Sequence, residues 1–301
     1  MRPFDYKLIH ALDVVIKEHS FEKAAEQLNI SQSAVSQRIK TLEEQMAQPV
    51  LIRVQPPQPT RIGEMLLRHF RQVRQLEYDL VDQVKPTNQH TTVPISIAVN
   101  ADTLASWFIP SLTPLLKSYP IELNLQVCDE TKTKELLKRG EVYAALSNQS
   151  ESFTGCKVEL IGDIDYILCA TPEFHQQYFE EGLNAHTLRF APCVEFDQHD
   201  TMHKDYIADH FGIHQGDYPC HTVRSSEAFV TMALAGVAYC LLPQNQANAY
   251  LKQGQLLDLQ PEKHLQRTLY WHSWVLEKGL HKKVSQCVVN YGKALLADIN
   301  K

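Results

Sequence analysis

Apolar residues recur every three or four positions through the first 84 residues, and beyond them the pattern changes to short β-branched runs alternating with helical stretches. A helical N-terminal part followed by an α/β remainder is the organisation this predicts. Leu8, Ile9, Leu12, Val15 and Ile16 fall on one face of a first helix over 5–18. Phe21, Ala24, Ala25 and Leu28 repeat the spacing and stop at Asn29, a residue that tolerates the left-handed conformation of a sharp turn. Ser31 is placed to cap a further helix, whose apolar face is Ala34, Val35, Ile39 and Leu42 and whose other face is Gln32, Ser33, Ser36, Gln37 and Lys40. Small residues at Ala24 and Ala25 let two helices cross closely, and the Gln and Ser cluster offers donors and acceptors suited to base edges in a major groove. This is helix-turn-helix geometry. A plain αα-hairpin has the same pattern, so the flanking sequence must decide.

The second helix should run on to about Met46 before Pro49 breaks it, and VLIRVQPPQPT then predicts a two-stranded wing with Arg53 near a phosphate. Thr60 is an N-cap for RIGEMLLRHFRQVRQLEYDLVDQV, where Ile62, Met65, Leu66, Phe70, Val73, Leu76, Leu80 and Val84 form a stripe over about seven turns. So long a stripe cannot be buried on so small a domain. Its expected partner is the same helix of a second subunit, the alternative being the chain's own second domain. Residues 86–92, PTNQHTT, read as a polar linker. After it, ISIAVN, IELNLQV, VYAALS, DYILCA, FAPCVEF, CHTV, VAYCLLP and LYWHSW are candidate strands separated by helices, which predicts parallel βαβ units and a helix over 280–297. The expected divisions are a winged helix-turn-helix over 1–59, a dimerising helix over 60–85, the linker over 86–92 and an α/β domain over 93–301.

Composition refines the picture. A chain of 301 residues that is 44% hydrophobic can build two cores. It has neither a secretory signal nor a run near the roughly eighteen apolar residues a membrane span needs, so the cytoplasm is the expected location. All seven cysteines lie after residue 127 without CxxC spacing, as buried thiols of a reducing compartment do. The net charge of -6 is unevenly spread. Residues 1–85 carry 12 Lys and Arg against 11 Asp and Glu, and within 31–74 there are seven basic residues to three acidic, a modest footprint for phosphates. His199 and His203 are spaced to share a helical face, yet no second ligand cluster accompanies them, and no metal or cofactor is expected. GxSxG, P-loop, HExxH and GxGxxG sequences are absent, which removes the commonest catalytic readings.

The run AAEQLNISQSAVSQRIKTLE, followed by PVLIR and PTRIGEMLL, resembles the N-terminal signature of LysR-type transcriptional regulators. Ala47 stands where members usually have glycine, and Leu51-Ile52 where Leu-Phe is usual. VNADTLASWFIP, LNLQVCDETKTKELLKRGEV and VRSSEAFVTMALAG are similar to a subfamily responsive to basic amino acids that controls an amino acid exporter. The resemblance implies a homodimer or homotetramer on double-stranded DNA, contact with RNA polymerase, and a C-terminal effector domain like a periplasmic binding protein. Two lobes, about 93–165 with 268–301 and about 166–267, would enclose a small molecule. On DNA it implies Gln32, Ser33, Ser36 and Gln37 at base edges, with Arg38, Lys40 and Arg53 at phosphates.

In such a domain the strand ends and helix starts face the cleft. Here they are Asn100, Asp102 and Thr103, then Asp129, Glu130 and Thr131, then Ser147, Asp197, and Ser225, Ser226 and Glu227. The carboxylates suit an ammonium or guanidinium and the hydroxyls a carboxylate, so lysine or arginine fits both halves. Taken singly, each Ser, Thr or Asp is also an ordinary helix cap. Three functions stay open: an effector-controlled regulator of amino acid export or metabolism, an architectural protein on A·T-rich or replication-origin DNA, and an α/β enzyme.

Overall fold

Side-chain caps start the first three helices. Asp5 accepts from the Lys7 amide ahead of α1 (Tyr6–Glu18), Ser20 from Lys23 ahead of α2 (Phe21–Leu28), and Ser31 from Ala34 ahead of α3 (Gln32–Met46). Each helix ends on a residue in the left-handed region: His19, Asn29 and Ala47. Ile9, Leu12, Val15, Ala24, Val35, Ile39 and Leu42 fill the core between them. These features belong to a computed structural model that describes residues 4–84, 92–128, 132–197 and 200–299.

The wing follows from two short strands, β1 (Leu51–Ile52) and β2 (Gln58–Pro59), paired antiparallel. At its base the Thr60 hydroxyl donates to the Pro49 carbonyl at 2.8 Å and accepts from the Gly63 amide at 3.1 Å, opening α4 (Arg61–Val84). Wing and helix approach so closely at Gly63 that a Cβ there would stand 2.1 Å from the Val50 carbonyl oxygen. The 24 residues of α4 extend about 36 Å. Its first part belongs to the head, where Leu66, Leu67 and Phe70 are buried. Farther along, the buried Asp79 pairs with His281 Nδ1 at 2.9 Å and accepts from the Lys278 amide at 3.3 Å, so the helix lies partly on its own second domain. Met65, Leu76 and Leu80 nevertheless remain exposed on the single chain.

The second domain begins with β3 (Val93–Val99), then α5 (Ala101–Thr103), a π-helical turn at Leu104–Phe108 and α6 (Ile109–Ser118). Next come β4 (Ile121–Val127), α7 (Thr133–Lys138), β5 (Ala144–Ser147) and the long β6 (Cys156–Ala170). A second group holds α8 (Pro172–Phe179), α9 (Ala185–Leu188), β7 (Cys193–Glu195), α10 (Met202–Phe211), β8 (Cys220–Thr222), α11 (Ser226–Leu234), β9 (Cys240–Pro243), α12 (Gln244–Lys252) and β10 (Leu257–Asp258). Finally β11 (Leu265–Trp274) returns to the first group and α13 (Gly279–Ile299) ends the described chain.

The sheet is mixed, which corrects the expectation of parallel units throughout. β3 pairs parallel with β4 and β5, and β7 with β8, but β6 is antiparallel to β9, β10 and β11, and β11 to β5. The reason is that β6 and β11 pair along most of their length, from Cys156 opposite Trp274 to Tyr166 opposite Leu265, and carry the chain out of one lobe and back. Strands that leave and return side by side need no helical crossover, so they lie antiparallel.

Candidate DNA-reading face and effector cleft

On α3, Gln32, Ser36 and Lys40 stand four residues apart, and Ser33 and Gln37 form the adjacent row, so one face carries all five. Gln32, Ser33, Gln37 and Lys40 are exposed and Ser36 is half-buried. Ser33 Oγ lies 2.9 Å from Ser31 Oγ, which steadies the helix start. Arg38 is not on this face. It is half-buried on the side toward α1, where His10 loses basicity through burial and through the nearby charges of Arg74 and Arg38. Arg53 projects from the wing 3.9 Å from the half-buried Glu43, and Lys40 stands 4.0 Å from Glu44 in an exposed pair that water and salt weaken readily.

Asp102 is a buried carboxylate that joins three elements of the second domain. Immediately after β3, its carboxylate takes a hydrogen bond from Tyr166 Oη on β6 at 2.7 Å and another from Ser226 Oγ at the start of α11 at 2.6 Å. Gln246 of α12 donates to the same Ser226 hydroxyl at 3.2 Å. One carboxylate thus touches the first lobe, a connecting strand and the facing lobe. Burial raises the Asp102 pKa above the ordinary value, hydrogen bonds from Ser226 and Tyr166 oppose the rise, and the Glu227 charge adds to it. A carboxylate offers about four lone-pair directions, and Tyr166 and Ser226 occupy two of them. Two residues earlier, Asn100 Oδ1 is buried with no hydrogen-bond partner among the described residues.

The other predicted cleft residues divide by what they touch. Thr103 and Ser147 are buried, and Ser147 Oγ accepts from the Gln149 amide at 3.2 Å. Ser225 caps α11 through the Ala228 amide and donates to Glu227 at 2.9 Å. Asp197 pairs with Arg224 at 3.4 Å, which offsets part of the anticipated acidity. Asp129, Glu130 and Thr131 lie outside the described residues, as does His199 of the histidine pair. His203 is buried against Tyr218 and Tyr239, and burial lowers its pKa to about 4. Sequence reasoning missed Tyr166, Gln246 and Arg224, because nothing local marks a strand tyrosine or a helix glutamine as a cleft residue.

Two family models match in sequence with this architecture: the bacterial regulatory helix-turn-helix protein of the lysR family over residues 6–64, and the LysR substrate binding domain over residues 88–276. The chain belongs to the LysR family. This LysR-family protein is a DNA-binding transcriptional regulator with an effector-binding domain, not an enzyme. It is 51% identical over 296 residues to the transcriptional regulator ArgP of Aeromonas salmonicida, covering 98% of this chain and 99% of that one. Its fold is similar to that of ArgP from Mycobacterium tuberculosis, with a TM-score of 0.84 and 29% identity over 96% of this chain and 98% of that one. Full-length LysG from Corynebacterium glutamicum, solved with the effector arginine bound, is similar with a TM-score of 0.78 and 29% identity over the same shares. Among the described residues, no helix of this regulator is long and apolar enough to cross a membrane.

Proposed function

We propose that this regulator senses arginine or lysine and controls genes of amino acid export or metabolism from the cytoplasm. The observation that carries the reading is the Asp102 carboxylate, buried between Tyr166 and Ser226 where the lobes meet. A buried acid of raised pKa is costly to ionise on its own, and a cationic ligand removes that cost by supplying a charge-assisted partner. The unpartnered Asn100 Oδ1 adds an acceptor for a donor-rich group. Thr103 and Ser147 supply hydroxyls for the ligand's carboxylate, Ser225 and Ser226 hold Glu227 and Asp102 in place, and Asp197 and Glu227 add acidic groups nearby. The likeness to LysG, whose solved form holds arginine, favours the same ligand class.

On the DNA side, Gln32, Ser33, Ser36 and Gln37 read base edges while Lys40 and Arg53 meet phosphates, and Arg38 supports the helix from behind. Two chains pair through the uncovered Met65, Leu76 and Leu80 of α4, placing two heads on successive major grooves, and two such pairs form a tetramer. Effector binding changes the lobe angle and the packing of the effector domains, altering DNA bending and the contact with RNA polymerase. Calorimetric titration of the full chain with arginine, lysine and neutral citrulline tests the ligand. Preference for the two cations supports the reading, and equal affinity for citrulline removes it.

A further inference from the structure

Arg71, in the middle of α4, reaches in two directions. Its Nε donates to Asp13 Oδ1 of α1 at 2.7 Å, and its Nη1 donates to the Arg139 carbonyl, just past α7, at 3.2 Å. The Asp13 pair is well shielded, with side-chain exposures of 21% and 13%, so water screens it less than the surface pairs. One turn earlier on α4, Gly140 packs against the helix backbone. It has φ +68°, and a Cβ there would stand 3.2 Å from Arg68 Cα. The end of α7 is therefore seated on α4 by a backbone contact and a hydrogen bond, and the same guanidinium that receives it also grips the DNA-reading head.

The opposite end of α7 lies on the side of the proposed effector site. The helix follows the carboxyl end of β4, and it packs on β3 and β5, the strands that carry Asn100 and Ser147 at their ends. Thr133 and Lys134 at its start are buried, so α7 cannot slide freely over those strands. This six-residue helix thus connects the strands that end at Asn100 and Ser147 to Arg139 and Gly140.

We infer that Arg71 is the positioning residue that couples the effector cleft to the DNA-reading head, acting through the Arg139 carbonyl on one side and Asp13 on the other. The inference rests on the functional reading above for the identity of the ligand. Asp79, two turns farther along α4, fixes the same domain through His281 and Lys278 and, among the described residues, has no hydrogen-bond partner in the head, so it anchors where Arg71 transmits.

The test uses the full chain and two substitutions, Arg71→Gln and Gly140→Ala; the second leaves the Asp13 pair alone and pushes α7 off the helix. Both variants should bind arginine within about twofold of wild type and bind operator DNA without ligand within about twofold. The change in operator affinity on adding arginine should vanish in both, an outcome that a merely structural role would not give. A ligand response of wild-type size in either variant overturns the proposal. Should wild type itself respond to neither arginine nor lysine, the functional reading fails, and calorimetry decides the coupling separately. One melting transition in wild type and two in Gly140→Ala support it, and two transitions in wild type overturn it.

Discussion

Ser226 and Asp102 are 124 positions apart in the chain, yet Ser226 Oγ donates to Asp102 Oδ1 at 2.6 Å across the meeting of the lobes. A hydrogen bond to a charged group contributes about 2 kcal/mol, roughly thirtyfold in affinity. Asp102→Asn is therefore expected to weaken arginine binding by at least about thirtyfold and to erase its preference over citrulline, as read by titration calorimetry. Retention of cation preference would place the recognising charge elsewhere.

The raised pKa of Asp102 gives a pH dependence of definite sign. Free of ligand, the folded chain holds this proton more tightly than the unfolded chain, whose value is near 3.8. The group's contribution to stability is thus most favourable at acid pH and is lost as pH rises from that value through the raised one. A bound cation requires the carboxylate, so arginine affinity should rise with pH over the same window and binding there should release protons. Titration in two buffers of different ionisation enthalpy measures the release, and its absence counts against Asp102 as the contact.

On α3 the exposed glutamines and the wing arginine should separate by what they read. Gln32→Ala or Gln37→Ala should cost about 1–3 kcal/mol of operator over nonspecific DNA, whereas Arg53→Ala should weaken all DNA and lower the salt slope by about one. Arg38→Ala, on the inner side of the helix, should change stability more than the salt slope. Fluorescence anisotropy across a salt series distinguishes the three outcomes.

Two backbone positions in the head have opposite expectations. Gly63→Ala places a Cβ against the Val50 carbonyl and should destabilise the head by about 1–3 kcal/mol. Ala47 sits at φ 54° at the end of α3, so Ala47→Gly should stabilise it by about 1 kcal/mol. Thermal unfolding followed by circular dichroism reads both.

The head was legible in the sequence because its determinants are neighbours along the chain. Ser31 caps the helix that starts at Gln32, and Thr60 accepts from an amide three residues on. The family signature supplied the two lobes, but apolar runs do not encode strand direction, and β6 and β11 proved antiparallel. Contacts across long separations were illegible. Asp13 and Arg71 are 58 residues apart, Asp79 and His281 are 202 apart, and Tyr166 finds Asp102 over 64. The acidic rim was read from residues at strand ends and helix starts, positions that do not reveal that Arg224 stands beside Asp197.

Footprinting of the full chain on its operator with no ligand, arginine, lysine or citrulline asks whether a basic amino acid controls DNA binding. A discrete, roughly palindromic protected site is expected, its extent or occupancy changing with arginine or lysine and not with citrulline. Protection spread over A·T-rich DNA and indifferent to every amino acid would contradict it.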